Sequence, residues 1–411
     1  MPEKSILILG CFDTKGEVFS FLRSRILELG EQVITVNTGV MGTTDLFPVD
    51  FEADTVARHA GKSIHELRLE ADRGHAIEVM GLGAGRIVAQ LLSDGKIKAA
   101  IGMGGGGGTY IALSAMQNIP LGIPKFCVTT LATKDLSRQI GNKDITLMPS
   151  IVDVAGINSI SSVLFTQAAA AVCAMSNAPR QTHKSIMGSV AISMFGNTTA
   201  CVYQCTQLLE SKGFEVMAFH ANGVGGRTLE ALVREGCFDA VLDITTTELA
   251  DDLCNGVCSA GPERLTAAAE MGIPQVVVPG CMDMVNFSHL DTVPEKYRDR
   301  HLYSWAPDVT LMRTNEEENL ILGSRLAQKL NASKVATLMV LPLKGLSQLD
   351  SEGGIFYEPD VNGILFDSIK REAGKGLKVI ESDAHINDPE FAELLVNKLL
   401  EVLSAKKHVS E

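Results

Sequence analysis

Three short stretches gather groups suited to chemistry. The first, GCFDTKG, supplies Asp13, Thr14 and Lys15 just past an apolar strand. A lysine there neutralises phosphate, and an aspartate holds a sugar hydroxyl or a metal; the alternative use of Asp13 and Thr14 is to cap the helix that follows. The second, IGMGGGGGT, places Gly104, Gly105, Gly106, Gly107 and Gly108 between a strand and a helix whose expected cap is Thr109. Glycine loses more conformational entropy on ordering than any other residue, so five in succession need a compensating role. The leading role is to let a phosphate approach backbone amides at the helix start; the other is a purely structural turn. The third, DITTTELADD, sets Asp243 and Glu248 around three threonines, hard oxygen groups suited to Mg²⁺ or to polyol hydroxyls and the candidates for catalysis.

Pattern matching refines these readings. The run satisfies G-x-G-x-x-G at Gly102, Gly104 and Gly107, but five glycines satisfy many patterns, and the strand before it is the third of its half. It is therefore a weak dinucleotide fingerprint, and no G-x-x-x-x-G-K-[ST] occurs. Arg86 and Arg227 occupy corresponding places after glycines and are candidates to clamp an anion, or are solvated helix residues. Asn37, Thr129 and Thr130 lie in loops at strand ends and are candidate substrate contacts. Cys281 and Asp283, in PGCMDMVNFSH with His289 following, allow a Cys/His nucleophilic pair, against the default of an inert cysteine. His301, Tyr303 and Trp305 in HLYSWAPD could line a lid, and His385 could face the cleft or cap a helix.

The elements that position these residues follow from composition and repetition. The chain has 411 residues and is 45% hydrophobic, enough for one large α/β protein with two lobes. A net charge of −13 argues against a broad nucleic-acid-binding face. Nine cysteines lack Cys-x-x-Cys spacing, and the pairs Cys201/Cys205 and Cys254/Cys258 have no histidine in the same turn, so buried thiols in a reducing, cytoplasmic compartment are expected. The amino-terminal Ile6–Leu9 run is too short for a secretory core and reads as a first strand. With no run of 18 apolar residues, no membrane span is expected.

The chain repeats itself once, loosely. KSILILGCFDTKGEVFSFLRSRILELGEQVITVNTGV is answered by KSIMGSVAISMFGNTTACVYQCTQLLESKGFEVMAFHANGV, and GLGAGRIVAQLLSDGKIKAAIGMGG by GVGGRTLEALVREGCFDAVLDITT. The Gly122-Ile-Pro124 and Gly272-Ile-Pro274 blocks continue the match. Short apolar runs alternating with helical patterns signal βαβ units, hence two Rossmann-like, doubly wound, mostly parallel lobes with a ligand cleft at the strand carboxyl ends. Strands are expected at 5–9, 32–37, 98–103 and 125–130, then at 188–194, 215–220, 239–245, 274–279, 309–313, 334–341 and 377–382. The lobes are expected at 1–180 and 181–411, and the segment 43–80 has no counterpart in the second half. On this alignment DITTTE stands where the first half has glycines.

Five ordered blocks, GCFDTKGE, IGMGGGGGT, GIPKFCVTTLA, MPSIVDVAGIN and SDAHINDPEFA, together resemble the Tm-one-like ATP-binding domain family over essentially the whole chain. The resemblance implies a two-lobed Rossmann-like domain that binds ATP and dimerises, with the glycine run and the Asp-Thr-Lys loop as nucleotide contacts and Mg²⁺ as a possible companion. A plant member joins this domain to a further barrel and confers tobamovirus resistance; that role is not carried to a chain of this length. The expected function is an ATP- or phosphate-dependent enzyme acting on a small carbohydrate-derived or carboxylated metabolite. The alternatives are a non-catalytic nucleotide-sensing module or a binder of another phosphorylated metabolite.

Overall fold

The run SILILG is too apolar for a strand with one wet face. In the computed structural model it forms β1 (Ser5–Gly10), buried from Ile6 onward. Alternation divides its side chains: Leu7 and Leu9 enter one hydrophobic cluster, Ile6 and Ile8 another. A strand covered on both faces is the mark of a parallel sheet between helical layers. Each such buried Leu or Ile contributes roughly 1.5–3 kcal/mol, which makes these alternating strands the main source of stability. The structure describes residues 4–179 and 186–409. The chain divides into two compact units, Met1–Gln181 and Thr182–Glu411. The boundary expected between residues 180 and 181 lies outside the described residues.

In the first unit β1 is followed by α1 (Phe12–Glu28), β2 (Val33–Asn37), α2 (Ala53–His59), α3 (Ile64–Glu70) and α4 (Arg73–Ser93). Then come β3 (Ile97–Gly104), α5 (Gly106–Met116), β4 (Lys125–Thr129), α6 (Ser137–Ile140), β5 (Ile145–Pro149) and α7 (Ser159–Asn177). The sheet is parallel in the order β2-β1-β3-β4-β5. β5 was not expected from the sequence. It is an edge strand whose residues are only half-buried, so it lacks the dense apolar signature of its neighbours. The inserted segment folds as α2, α3 and the start of α4, with Ser63 and Glu66 forming a capping box on α3. Helices α4 and α7 have the length and apolarity of membrane spans; α4 packs on α2 and α5, and α7 on α1, β3 and β4.

In the second unit β6 (Gly188–Met194), α8 (Thr199–Ser211), β7 (Phe214–His220), α9 (Val224–Arg234), β8 (Ala240–Thr245), α10 (Glu248–Cys254), α11 (Ala267–Met271) and β9 (Gln275–Gly280) repeat the rhythm. An antiparallel ribbon follows: β10 (Met284–Phe287), β11 (Leu302–Ala306) and β12 (Val309–Arg313), ordered β10-β12-β11. The segment expected as a lid is thus an edge strand, with Trp305 exposed on it. α12 (Glu316–Asn331), β13 (Thr337–Pro342), α13 (Pro359–Glu372), β14 (Leu377–Ser382) and α14 (Pro389–Val409) complete the unit. The main sheet is parallel in the order β14-β13-β9-β8-β6-β7. In chain order both sheets begin second, first, third, fourth, fifth, which is the structural form of the internal repeat.

Candidate functional site

In a parallel sheet of this order, the chain departs from the first and third strands toward opposite faces. The gap between their carboxyl ends is the place where such folds take ligands. In the first unit that gap lies between β1 and β3, which pair directly, and a cavity of about 690 Å³ opens there. Its lining comes from the residues after β1, the Thr38–Met41 loop after β2, the glycine run with Met103 and Ile111, and the inserted segment from Leu67 to Met80.

The glycine run is not a tight turn, since none of its five residues has a positive φ. Gly104 closes β3, Gly105 is the N-cap residue and α5 begins at Gly106. Packing restricts Gly104, where a Cβ would stand 3.0 Å from Gly108 Cα; one on Gly107 would meet the movable end of the Ile77 side chain, Cδ1 at 2.9 Å. Gly105 and Gly106 are different. A Cβ on Gly106 would meet nothing within 4 Å, and one on Gly105 only Thr130 Oγ1 at 3.8 Å. The amides of Gly106, Gly107 and Gly108 have no acceptor among the described residues, and the first bonded amide is Thr109 N, donating to Gly105 O at 2.8 Å. Unpaired amides at a helix start carry partial positive charge toward whatever lies before them.

Charged side chains converge on the same cavity. Arg73, the first residue of α4, brings Nη2 to 3.9 Å from the Cβ position of Gly107, and its guanidinium has no hydrogen bond or ion pair among the described residues. Lys15 lines the cavity and donates one ammonium proton to the Val154 carbonyl. Asp13 accepts from Thr14 N at 2.7 Å and Met41 N at 2.9 Å, so it organises the loop after β2. Gly39 makes room for it, because a Cβ there would fall 2.1 Å from Asp13 Oδ1. Thr14 is exposed and lines the cavity. Cys11 lies 3.7 Å from Thr38 Oγ1, and burial raises its pKa above the ordinary thiol value, so it faces the cavity as a neutral thiol.

Several expected contacts have other roles. Thr109 is not the cap: its hydroxyl donates to Gly104 O at 3.2 Å and pairs with Thr129 Oγ1 at 2.6 Å, and both threonines are buried. Thr130 is exposed, and its amide donates to Gly104 O. Asn37 is wholly buried, accepting from Phe12 N and Gly39 N and donating to Gly42 O, so it shapes the loops from behind. Arg86 does not line the cavity; it is an exposed residue inside α4 that donates to His59 O at 2.5 Å. The glycines before it are not a loop. A Cβ on Gly81 would meet Ser114 Oγ at 3.0 Å, and one on Gly83 the Val56 carbonyl at 2.0 Å, so they are close-packing contacts of α4. Arg227 is an exposed residue of α9 donating to Ser259 O at 2.9 Å.

The second unit's corresponding gap, between β6 and β8, is filled. Arg264 is wholly buried and donates to Asp243 Oδ2 at 2.6 Å, Asp243 Oδ1 at 2.7 Å, Glu248 Oε2 at 2.5 Å and Glu230 Oε1 at 3.1 Å. Burial opposes its charge, but Asp243, Glu248 and Glu230 raise its pKa well above the usual arginine value. Glu248 Oε1 also accepts from Gly223 N at 2.7 Å and Gly226 N at 3.1 Å. Ser193 Oγ donates to Asp243 Oδ1 at 2.6 Å, and Thr198 pairs with Thr245 at 2.8 Å. Asp243 and Glu248 are therefore structural counter-ions, 1% and 0% exposed, rather than free carboxylates facing a ligand. No group of three metal-ligating side chains occurs among the described residues.

Cys281 and Asp283 follow β9 and are both fully buried. Burial, with the charges of Asp283 and Asp350, drives the Cys281 thiol far above its ordinary range, which removes it as a nucleophile. His289 hydrogen-bonds the Pro307 carbonyl at 3.0 Å instead. Burial first, and the Asp350 charge second, push Asp283 up to about 7. His385 is held by the chain, with Nε2 on the Ser347 carbonyl at 2.9 Å and Nδ1 on Asn387 N at 3.1 Å. Sequence reasoning missed Arg73, Arg68 and the apolar residues Leu67, Ile77 and Met80 in the cavity wall. The signal was present: an insertion at a strand's carboxyl end carrying RLEADRG, two arginines around an acidic turn.

These features define a two-unit α/β protein with an anion-suited crevice at the switch point of its first sheet. The chain belongs to the family described as Uncharacterised protein family (UPF0261): residues 4–181 match its N-terminal domain and residues 188–403 its C-terminal domain. It is 43% identical over 401 residues to a UPF0261 protein of Clostridium tetani, covering 97% of this chain and 99% of that one. It is 35% identical over 429 residues to the ToMV resistance protein Tm-1(GCR237) of Solanum lycopersicum, covering 98% of this chain and 56% of that protein. The family resemblance read from the sequence blocks is thus confirmed. Among solved structures, UDP-GlcNAc 2-epimerase from Neisseria meningitidis bound to UDP-GlcNAc matches over 97% of this chain and 100% of that one, at 11% identity and a TM-score of 0.23. A likeness that loose carries no argument.

Proposed function

We propose that the first unit is a nucleotide-binding module whose ligand is ATP, with the polyphosphate on Gly105–Gly108, Arg73 and Lys15. The observation that carries this reading is the conjunction at one cavity of three unpartnered amides and an unpaired guanidinium. A helix start and a cation, both without protein partners, suit an anion brought from outside. The 690 Å³ cavity lies within the range of small-molecule and cofactor sites, roughly 300–1,000 Å³. Open space at Gly106 supports the same reading, because nothing in the chain itself demands a missing side chain there.

Binding without chemistry is favoured over the enzymatic alternative. Both Asp13 oxygens accept backbone amides, Asp72 caps α4 by accepting from His75 N, and Asp243 and Glu248 are held by Arg264. None of these carboxylates is placed as a general base. Titration calorimetry with ATP tests the reading: Arg73→Ala is expected to weaken ATP by about 10- to 30-fold, the loss of one charge-assisted contact. Unchanged affinity in that variant, or no heat from ATP, ADP or inorganic phosphate with the native chain, would refute it.

A further inference from the structure

Resting on the nucleotide reading, we propose that Arg68 is a third cation of the site and that the site measures polyphosphate length. One cation stands past the end of each of three neighbouring strands, and a chain of three phosphates meets them all. The sheet order β2-β1-β3 puts the carboxyl end of β1 between the other two. Arg73 stands beside the glycine run that follows β3, its Nη2 3.9 Å from the Cβ position of Gly107. Lys15, near the start of the helix that follows β1, comes next, and the charges of Lys15 and Arg73 both reach Cys11 just past that strand. Arg68 ends the row at the loop after β2, where its Nε donates to the Val40 carbonyl at 2.5 Å. Adjacent strands lie about 4.8 Å apart, so the two arginines are anchored past strands about 10 Å apart.

The bond to Val40 holds the Arg68 guanidinium through Nε and leaves Nη1 and Nη2 without a partner among the described residues. Arginine takes a phosphate with such a free two-pronged edge. The backbone delivers both arginines to one wall. Helix α3 ends at Ala71, whose φ of 51° and ψ of 22° are left-handed, and α4 begins two residues later behind its cap Asp72. Alanine seldom adopts that conformation, and here it turns the chain so that Arg68 and Arg73 line the same cavity. Charge agrees with this reading: Lys15, Arg68 and Arg73 outnumber Asp13 and Asp72 in the wall, in a chain whose net charge is −13. Both Asp13 oxygens already accept amides, and one Asp72 oxygen accepts from His75 N. A single phosphate occupies one end of such a row; a triphosphate spans it.

Titration calorimetry of the full chain at one salt concentration, with orthophosphate, pyrophosphate and tripolyphosphate and with AMP, ADP and ATP, tests this. Each added phosphate is expected to tighten binding by about fivefold or more in both series. Arg68→Ala, a change at an exposed residue, is expected to remove the last step: ATP falls to within about twofold of ADP, while AMP and orthophosphate are unchanged. Arg73→Ala, by contrast, is expected to weaken every member of both series, orthophosphate included. Arg68→Lys keeps the charge and is expected to restore at least part of the last step. The inference is overturned, with the phosphate site left standing, by any of four results: AMP bound as tightly as ATP by the native chain, unaltered ATP affinity in Arg68→Ala, equal losses for orthophosphate and ATP in that variant, or no rescue by lysine. No binding by any of the six compounds overturns the nucleotide reading itself.

Discussion

The two switch points of this chain are built on the same strand order and put to opposite uses. Between β1 and β3 the backbone is left open: glycines, unpaired amides and an unpaired arginine surround a cavity. Between β6 and β8 an arginine comes from within the chain, and three carboxylates close around it. The second unit has supplied its own ion where the first leaves room for one of opposite sign. The connections differ accordingly. β7 runs into α9 through Ala221–Gly223, whereas β2 is separated from α4 by the segment that forms α2, α3 and part of the cavity's apolar wall. A shared topology thus fixes where a site can be, and the loops decide whether it exists.

The contrast can be broken most forcefully at Arg264. Removing one partner of a buried ion cluster leaves uncompensated charge, so Arg264→Met is expected to lower the stability of the second unit by about 3–5 kcal/mol in urea unfolding. ATP affinity of the folded protein is expected to stay unchanged. Loss of ATP binding in the folded variant would show that the second site is not merely a plug.

A smaller effect comes from pH. Asp251 and Asp283 are each pushed up to about 7, chiefly by burial, whereas a carboxylate in the unfolded chain titrates near 4. Between these values the folded unit binds more protons than the unfolded chain. Stability from these groups is therefore fully present below about pH 4 and lost as pH rises through 7. In the first unit Glu31, though partly desolvated, is held below its usual range by Lys98 and Asn177, so its contribution runs the other way, lost as pH falls. Urea unfolding followed at pH 5 and pH 8 by a probe in each unit is expected to show the second unit weakening at pH 8. A second unit that strengthens at pH 8 contradicts the assignment of these buried acids.

The mildest change separates packing from recognition within the glycine run. Gly106→Ala fills open space at the first helical position and is expected to leave the thermal midpoint unchanged or slightly raised. ATP affinity is expected to fall by about three- to tenfold. Gly104→Ala, where a Cβ would press on Gly108, is expected to destabilise the unit instead. If the two variants behave alike, the distinction between glycines kept for packing and glycines kept for a ligand fails.

Much of the fold was legible because parallel strands buried on both faces announce themselves. Strands β1, β2, β3, β4, β6, β7, β8, β9 and β14 fall within a residue or two of their expected spans. The half-buried edge strand β5 and the short ribbon strands β10 and β11 were not, since their side chains are divided between protein and solvent. At the site, Asp13, Thr14, Lys15 and Gly105–Gly108, each named from the sequence as a phosphate contact, line one cavity. Arg73 was missed although RLEADRG marks the insertion, because the motif does not say which arginine turns inward; only the fold brings Arg73 to Gly107. Asp243 and Glu248 were misread for a related reason. A cluster of acids looks like a cation site until the cation proves to be Arg264, some twenty residues along the chain.

Amide hydrogen exchange with and without saturating ATP tests the central contrast most directly. The amides of Gly106, Gly107 and Gly108 lack acceptors and should exchange freely in the unliganded chain. ATP is expected to slow exchange across residues 105–112 and to leave residues 243–252 unchanged. Protection at 243–252, or free exchange at 105–108 when ATP is bound, would contradict the account.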